Sequence, residues 1–149
     1  MPNPITIRRL MPDDKPAWAA LWRAYLAFYA TERPEDVYET TFARYTDNDR
    51  TDMSAWLAWD GPDAVGLVHT ITHAHGWQVA PVTYLQDLFT APAARGRGVA
   101  RRLIETVYAD ADAEGRGNVY WMTNSSNTQA RLLYDQIATV TDFIKYTRS

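Results

Sequence analysis

The sequence predicts one α/β domain of the α+β kind over residues 1–149, and three observations carry the prediction. An apolar content of 46% over 149 residues is enough for one sizeable core and too little chain for two. Runs with strand-like alternation and runs with helical apolar spacing follow one another along the chain. No repeat, low-complexity tract or linker interrupts them.

Residues 5–10 alternate enough for a first strand, and Pro12-Asp13-Asp14 supplies turn and capping chemistry ahead of Pro16. Trp18, Leu21, Trp22, Tyr25 and Tyr29 recur at i, i+3, i+4, i+7 and i+11. That spacing predicts a helix ending near Ala30, with its large aromatics on one face where packing accounts for them. Residues 31–52 are charged and only partly periodic, so a short helix over 34–45 within a mobile flap is expected. Residues 55–59 and 64–73 flank the turn sequence Asp60-Gly61-Pro62-Asp63 and predict an antiparallel hairpin, with 82–89 as the next strand. From Ala100 onward, Leu103, Ile104, Val107 and Ala111 share a helix face, and Gly115 can close that helix in the left-handed conformation. A strand over 118–123, a short helix over 126–136 and a final strand over 139–146 complete the order.

With no cysteine, the chain has no disulfide framework, thiolate zinc site or cysteine nucleophile, and the cytoplasm is the expected compartment. Met1-Pro2-Asn3-Pro4-Ile5 lacks the basic and apolar pattern of a leader, and no stretch approaches the ~18 uninterrupted apolar residues of a membrane span. A soluble protein without a membrane partner is expected. The formal charge of −3 weighs against nucleic acid, which needs a basic face.

The arginines instead gather in Arg95-Gly96-Arg97-Gly98-Val99-Ala100, between the strand over 82–89 and the helix from Ala100. Glycines at a strand-to-helix junction let the backbone turn tightly and expose the unpaired N–H groups and positive dipole end of the helix. Arg95, Arg97, Arg101 and Arg102 add charge around this point, so a phosphate-bearing guest is expected. A dinucleotide fingerprint counted from Gly96 needs glycine or alanine where Arg101 stands, and no Gly-Lys-Ser or Gly-Lys-Thr ends a Walker loop.

Arg95-x-x-Gly98-x-Ala100, after Leu85-Gln86-Asp87-Leu88-Phe89 and before an amphipathic helix, resembles the acetyl-CoA signature of the GCN5-related N-acetyltransferase (GNAT) superfamily. Asn127-x-x-Ala130-x-x-x-Tyr134 resembles the superfamily's later helix, on which asparagine touches pantetheine and tyrosine faces the thioester sulfur. The resemblance spans about residues 5–147, and Tyr84-Leu85-Gln86-Asp87-Leu88-Phe89 is most similar to the branch that acetylates polyamines and histone tails. It implies a central mixed, mostly antiparallel sheet flanked by helices, and acetyl-CoA as co-substrate without a metal. It further implies that Leu88 and Phe89 backbone pairs with pantetheine. The N–H groups from Arg97 through Gly98 and Val99 to Ala100 would hold the pyrophosphate, with Gly96 in the turn and Arg95 shaping the loop. The implied activity is direct acetyl transfer to a primary amine, whether a small amine, a polyamine or a lysine side chain of a peptide. A non-catalytic acyl-CoA sensor is the alternative. Relatives of this kind often dimerise, and a strand carrying Phe143, Ile144 and Tyr146 could pair across a two-fold axis or within the monomer.

Transfer to an amine needs a neutral nitrogen, and deprotonating an alkylammonium at pH 7 costs about 4–5 kcal/mol. Tyr134 is the candidate general acid for the leaving thiolate: Asn127, Ala130 and Tyr134 share one helix face, although Asn127 in a first turn and Tyr134 in core packing are also open readings. The polyamine branch carries glutamate where Gln86 stands, and an amide accepts no proton at neutral pH. Asp87 is then the candidate base if a bulge rotates the strand, or else a structural ion-pair partner. His69, His73 and His75 share one face of a regular strand and could hold a metal, relay a proton through water, or line a solvated face. Glu32, Glu35, Asp36, Glu39, Asp47, Asp49 and Asp52 make the flap acidic, either as a rim that steers cationic amines or as a solvated loop.

Overall fold

A computed structural model describes residues 3–149; the first two residues of the N-terminal stretch read above for a leader lie outside it. Five strands form one sheet in the order β1 (Ile5–Arg9), β2 (Met53–Asp60), β3 (Asp63–His73), β4 (Val82–Thr90) and β5 (Val119–Tyr120). Neighbours pair antiparallel except β4 and β5, which run parallel because α3 (Val99–Ala113) crosses over between them. Helices α1 (Lys15–Phe28), α2 (Glu35–Tyr45) and α4 (Thr128–Ile137) complete the fold.

Strand alternation sends the side chains to two cores. Ala55, Leu57, Leu67 and Phe89 meet the aromatic faces of α1 and α2, where Trp18, Trp22, Tyr38 and Phe42 pack together. Trp56, Ala58, Val68 and Leu85 meet Val99, Leu103, Ile104 and Val107 of α3 on the other face. The segment expected as a mobile flap instead docks α2, burying Tyr38, Phe42 and Tyr45. The short helix expected there forms, and its charges hid only that one of its sides is apolar.

The entry to α1 is fixed by an ion pair. The Arg8 guanidinium grips Asp14 with two hydrogen bonds, at 2.8 and 3.0 Å, and the Met11 backbone N–H donates to the same carboxylate. Burial alone would raise the Asp14 carboxyl, but these donors hold it below the usual range.

The C-terminal half departs furthest from expectation. The strand over 118–123 shrinks to two paired residues, and no strand forms over 139–146. There Val140, Phe143, Ile144 and Tyr146 are 69%, 83%, 76% and 88% exposed. Strand propensity alone cannot order a segment that finds no edge to pair with.

Gly66 shows how tightly α3 sits on the sheet. A Cβ there would stand 2.7 Å from Val99 Cγ1 and 3.1 Å from both Ala58 Cβ and Leu103 Cδ1. Replacing Gly66→Ala is expected to lower the unfolding free energy by about 1–3 kcal/mol through overpacking. Urea titration would measure this, and adding Val99→Ala should recover part of the loss because it vacates the nearest contact.

Candidate active site

β5 pairs with β4 only at Thr83 and Tyr84. Beyond Leu85, β4 keeps β3 on one side and diverges from β5 on the other, so the backbone at Leu88 and Phe89 has a sheet partner on one edge only. The chain then makes a 3-10 turn at Pro92–Ala94 and reaches Gly96 and Gly98, whose φ values are +83° and +75°. A Cβ at either glycine would meet nothing within 4 Å, so left-handed backbone rather than close packing accounts for both.

Gly98 caps α3 with no side-chain hydrogen bond, and no acid stands in the first helical turn. The N–H groups around Val99 and Ala100 are therefore presented with the helix dipole uncancelled, which fits a pyrophosphate. The arginines divide their work. Arg97 bonds Asp60 at 2.8 Å and the Asn3 carbonyl at 2.9 Å, tying the loop to the β1–β2 end of the sheet. Arg101 reaches Gln136 and Arg102 the Ile5 carbonyl, while Arg95 lies over the Phe28 ring. Side-chain charge thus braces the loop, and backbone donors face the guest.

Asn127 is the N-cap residue of α4, and its side-chain amide donates to Thr123 Oγ1 at 3.2 Å instead of capping the helix. About two turns further on, Tyr134 packs edge-on against Trp121 with ring centroids 5.4 Å apart. Burial, with a smaller contribution from neighbouring Tyr29, pushes its phenol up to about 12. Tyr134 lines an open cleft of about 1810 Å³ together with Tyr25, Tyr29, Tyr120 and the residues that follow β5.

The register of β3 against β4 slips between His69 and Thr70: His69 pairs with Asp87 and Thr70 with Leu85. Gln86 is the extra residue of this bulge and is exposed. The slip turns Asp87 onto the α1 face, where His69 Nδ1 lies 2.8 Å from its Oδ2 and Trp18 Nε1 donates to His69 Nε2 at 2.9 Å. Burial alone would raise the Asp87 carboxyl; the bond from His69 and the nearby donors of Tyr25 and Trp22 outweigh it and hold the group below the usual range. The Trp22 indole N–H makes no well-aligned hydrogen bond of its own, so its effect on the carboxylate is one of proximity. Asp87 in turn raises Tyr29, the phenol that raises Tyr134, so candidate base and candidate donor share one neighbour.

His69 and His73 share a face of β3, four residues apart, but the three histidines form no cluster. His69 is buried, His73 bonds Tyr120 at 2.8 Å at the strand end, and His75 lies in the following loop. Among the described residues no group of three metal-ligating side chains forms. Of the acidic residues after α1, Glu35, Glu39 and Asp52 pair with Arg23, Lys15 and Arg50, which reduces the charge left to steer a ligand. Sequence reasoning missed Trp18 and Tyr25 as neighbours of the site because their spacing equally marks a core face. The one available signal was Gln86-Asp87, two polar residues in succession in an otherwise apolar strand.

Comparison with known proteins identifies the family. A model of the Acetyltransferase (GNAT) family matches residues 18–138. The D-amino-acid N-acetyltransferase HPA3 of Saccharomyces cerevisiae is 40% identical over 149 residues, covering 97% of this chain and 91% of that protein. The structure of AAC(6')-Iy in complex with the bisubstrate analogue CoA-S-monomethyl-acetylneamine superposes with a TM-score of 0.86 at 20% identity, covering 99% of both chains. The ribosomal-protein-alanine N-acetyltransferase of Brucella melitensis biovar Abortus 2308 gives 0.82 at 20% identity, again over 99% of both. No helix among the described residues is long and apolar enough to cross a membrane. The chain belongs to the GNAT acetyltransferase family and is an acetyl-CoA-dependent N-acetyltransferase acting on an amine.

Proposed function

We propose that the acceptor is a small cationic primary amine, an amino acid before a polyamine or a lysine side chain, with Asp87 as its carboxylate partner and Tyr134 as the donor to the leaving sulfur. The observation that carries this reading is the anionic Asp87, held by His69 and facing Tyr25, a residue that lines the cleft, with no arginine or lysine pairing to it among the described residues. The acceptors named for the yeast relative support the amino-acid choice.

Acetyl-CoA supplies the activated acetyl group; the N–H groups of Arg97 to Ala100 would hold its pyrophosphate, and the Leu88–Phe89 backbone with Asn127 its pantetheine arm. Asp87 draws the ammonium into place by charge. A carboxyl below its usual value is a poor acceptor for the proton of a free alkylammonium, a transfer uphill by about 9 kcal/mol. The ammonium therefore loses its first proton to solvent to free the lone pair; as the C–N bond then forms, a second N–H proton on the now positively charged nitrogen becomes strongly acidic, and Asp87 takes that one. Tyr134 holds its proton at Oη throughout. Because giving it up fully to a thiolate of pKa ~8.5 would cost about 5 kcal/mol, the phenol acts mainly as a hydrogen-bond donor to the departing sulfur.

A pH profile tests these assignments. Asp87 stays ionised over the working range, so kcat/KM is expected to rise about tenfold per pH unit up to the pKa of the amine itself, following its neutral fraction. With Tyr134 at about 12, no falling limb is expected below about pH 10. A bell centred near neutrality would assign the donor elsewhere. In an acceptor panel followed by free-thiol release, D-amino acids should give the highest kcat/KM, and a preference for spermidine or a lysine peptide would redirect the acceptor class. Asp87→Asn and Tyr134→Phe should each lose about 100-fold or more in turnover with acetyl-CoA affinity unchanged.

We further propose a homodimer in which a second copy covers Val140, Phe143, Ile144 and Tyr146, since an exposed apolar run beside a two-residue edge strand leaves both apolar surface and backbone groups unpartnered. Light scattering should give a dimer mass for the wild type and a monomer mass for Phe143→Asp/Ile144→Asp. A wild-type monomer at micromolar concentration would end this reading.

A further inference from the structure

We propose that Trp18 and His69 form a fixed relay behind Asp87, with His69 a positioning residue that keeps the carboxylate anionic, oriented and free of any counter-cation. This rests on the reading of Asp87 given above and adds what sets its state.

An indole N–H can only donate, so at 2.9 Å it requires a bare lone pair on His69 Nε2. The ring proton then sits on Nδ1 and is donated to Asp87 Oδ2 at 2.8 Å. A doubly protonated ring would set Nε2–H against the Trp18 N–H, donor facing donor, and both side chains are 0% exposed, so no solvent lies between them. Tyr45 stacks on the imidazole at 4.3 Å and 14°, and Trp22 closes on it edge-on, so the ring has no room to turn. Trp18 therefore fixes the tautomer as well as the position.

The groups facing the pair are phenols: Tyr25 and Tyr29 from α1, Tyr45 from α2 and Tyr84 from β4. Burial, reinforced by the Asp87 charge, raises all four and keeps them neutral; Asp52 is felt only by Tyr45. The fold holds its other buried aspartate differently, since Asp14 is clamped by the Arg8 guanidinium. Asp87 is stabilised by dipoles alone, which leaves its charge for the acceptor. Packing gives no reason for this: a leucine at His69 would fill the core without placing two ring nitrogens in it.

Trp18→Phe keeps the ring and removes the N–H. Wild-type kcat/KM already rises with pH as the amine is freed; in the variant that acid limb should steepen at low pH, because without the indole N–H the His69 Nε2 is open to a second proton that would pair the ring with Asp87 as a cation. His69→Leu should lose about 10- to 100-fold in kcat/KM for the amine while acetyl-CoA affinity and far-UV dichroism stay unchanged. His69→Gln should recover most of the loss, since its amide can accept at Oε1 and donate at Nε2. A wild-type pH profile in Trp18→Phe, or wild-type kcat/KM in folded His69→Leu, overturns the relay. The Asp87→Asn arm separates the two failures: an inactive Asp87→Asn beside an unaffected His69→Leu rejects the relay alone, whereas a fully active Asp87→Asn removes the role of Asp87 and the relay with it.

Discussion

Strand alternation is a strict constraint, and one residue inserted into it inverts every side chain that follows. In β4 that residue is Gln86. Leu85 lies in the α3 core, so an unbroken strand would return Asp87 and Phe89 to the same side. With the bulge, Leu88 packs toward α3, Phe89 enters the α1 core, and Asp87 meets His69 across the register slip. The polar triad behind the cleft and the packing of Phe89 beneath Tyr25 are thus consequences of one extra residue. The bulge also follows the point at which β4 loses β5, where the strand has no second ladder to hold it regular.

The two ends of the site meet charge by similar means. The junction at Gly96 and Gly98 offers peptide N–H groups and a helix dipole, while Arg97, Arg101 and Arg102 spend their charge bracing the loop against Asp60, Gln136 and the Ile5 carbonyl. At the other end, neutral imidazole and phenol groups solvate Asp87. A full counter-charge at either place would have to be displaced before a ligand could bind, and at Asp87 it would be displaced from a poorly solvated site. Oriented dipoles stabilise a charge in the guest or host without neutralising it in advance.

Most elements were legible in the sequence because their signal is local. The α1 aromatics, the α3 apolar face and the Gly115 stop are periodicities or caps that a helix satisfies by itself, and the hairpin turn at Gly61-Pro62 is equally local. Long-range features were not. The expected 139–146 strand has the composition of a strand but no ladder within the chain, and nothing in its own residues reports that absence. For Asp87, the sequence left both faces open because a bulge is a property of two strands in register. The identity of His69 as its neighbour needed β3 and β4 aligned to the residue, and the face it shares with His73 said nothing of which carboxylate stands opposite.

The charge on the acceptor also bears on how the proposed reaction ends. Binding a substrate and its product equally well gains nothing in turnover, so an attraction that disappears on reaction is the more useful kind. An amine arrives as a cation and leaves as a neutral amide; its charge attraction to Asp87 ends once the nitrogen has given up its protons and is absent from the product. The carboxyl is left holding a proton it retains weakly, because His69, Tyr25 and Trp22 all favour its ionised form. With its side chain 14% exposed, Asp87 keeps a route by which that proton returns to water. The network that makes this carboxylate a poor base for the free ammonium is the same one that resets it after each turnover.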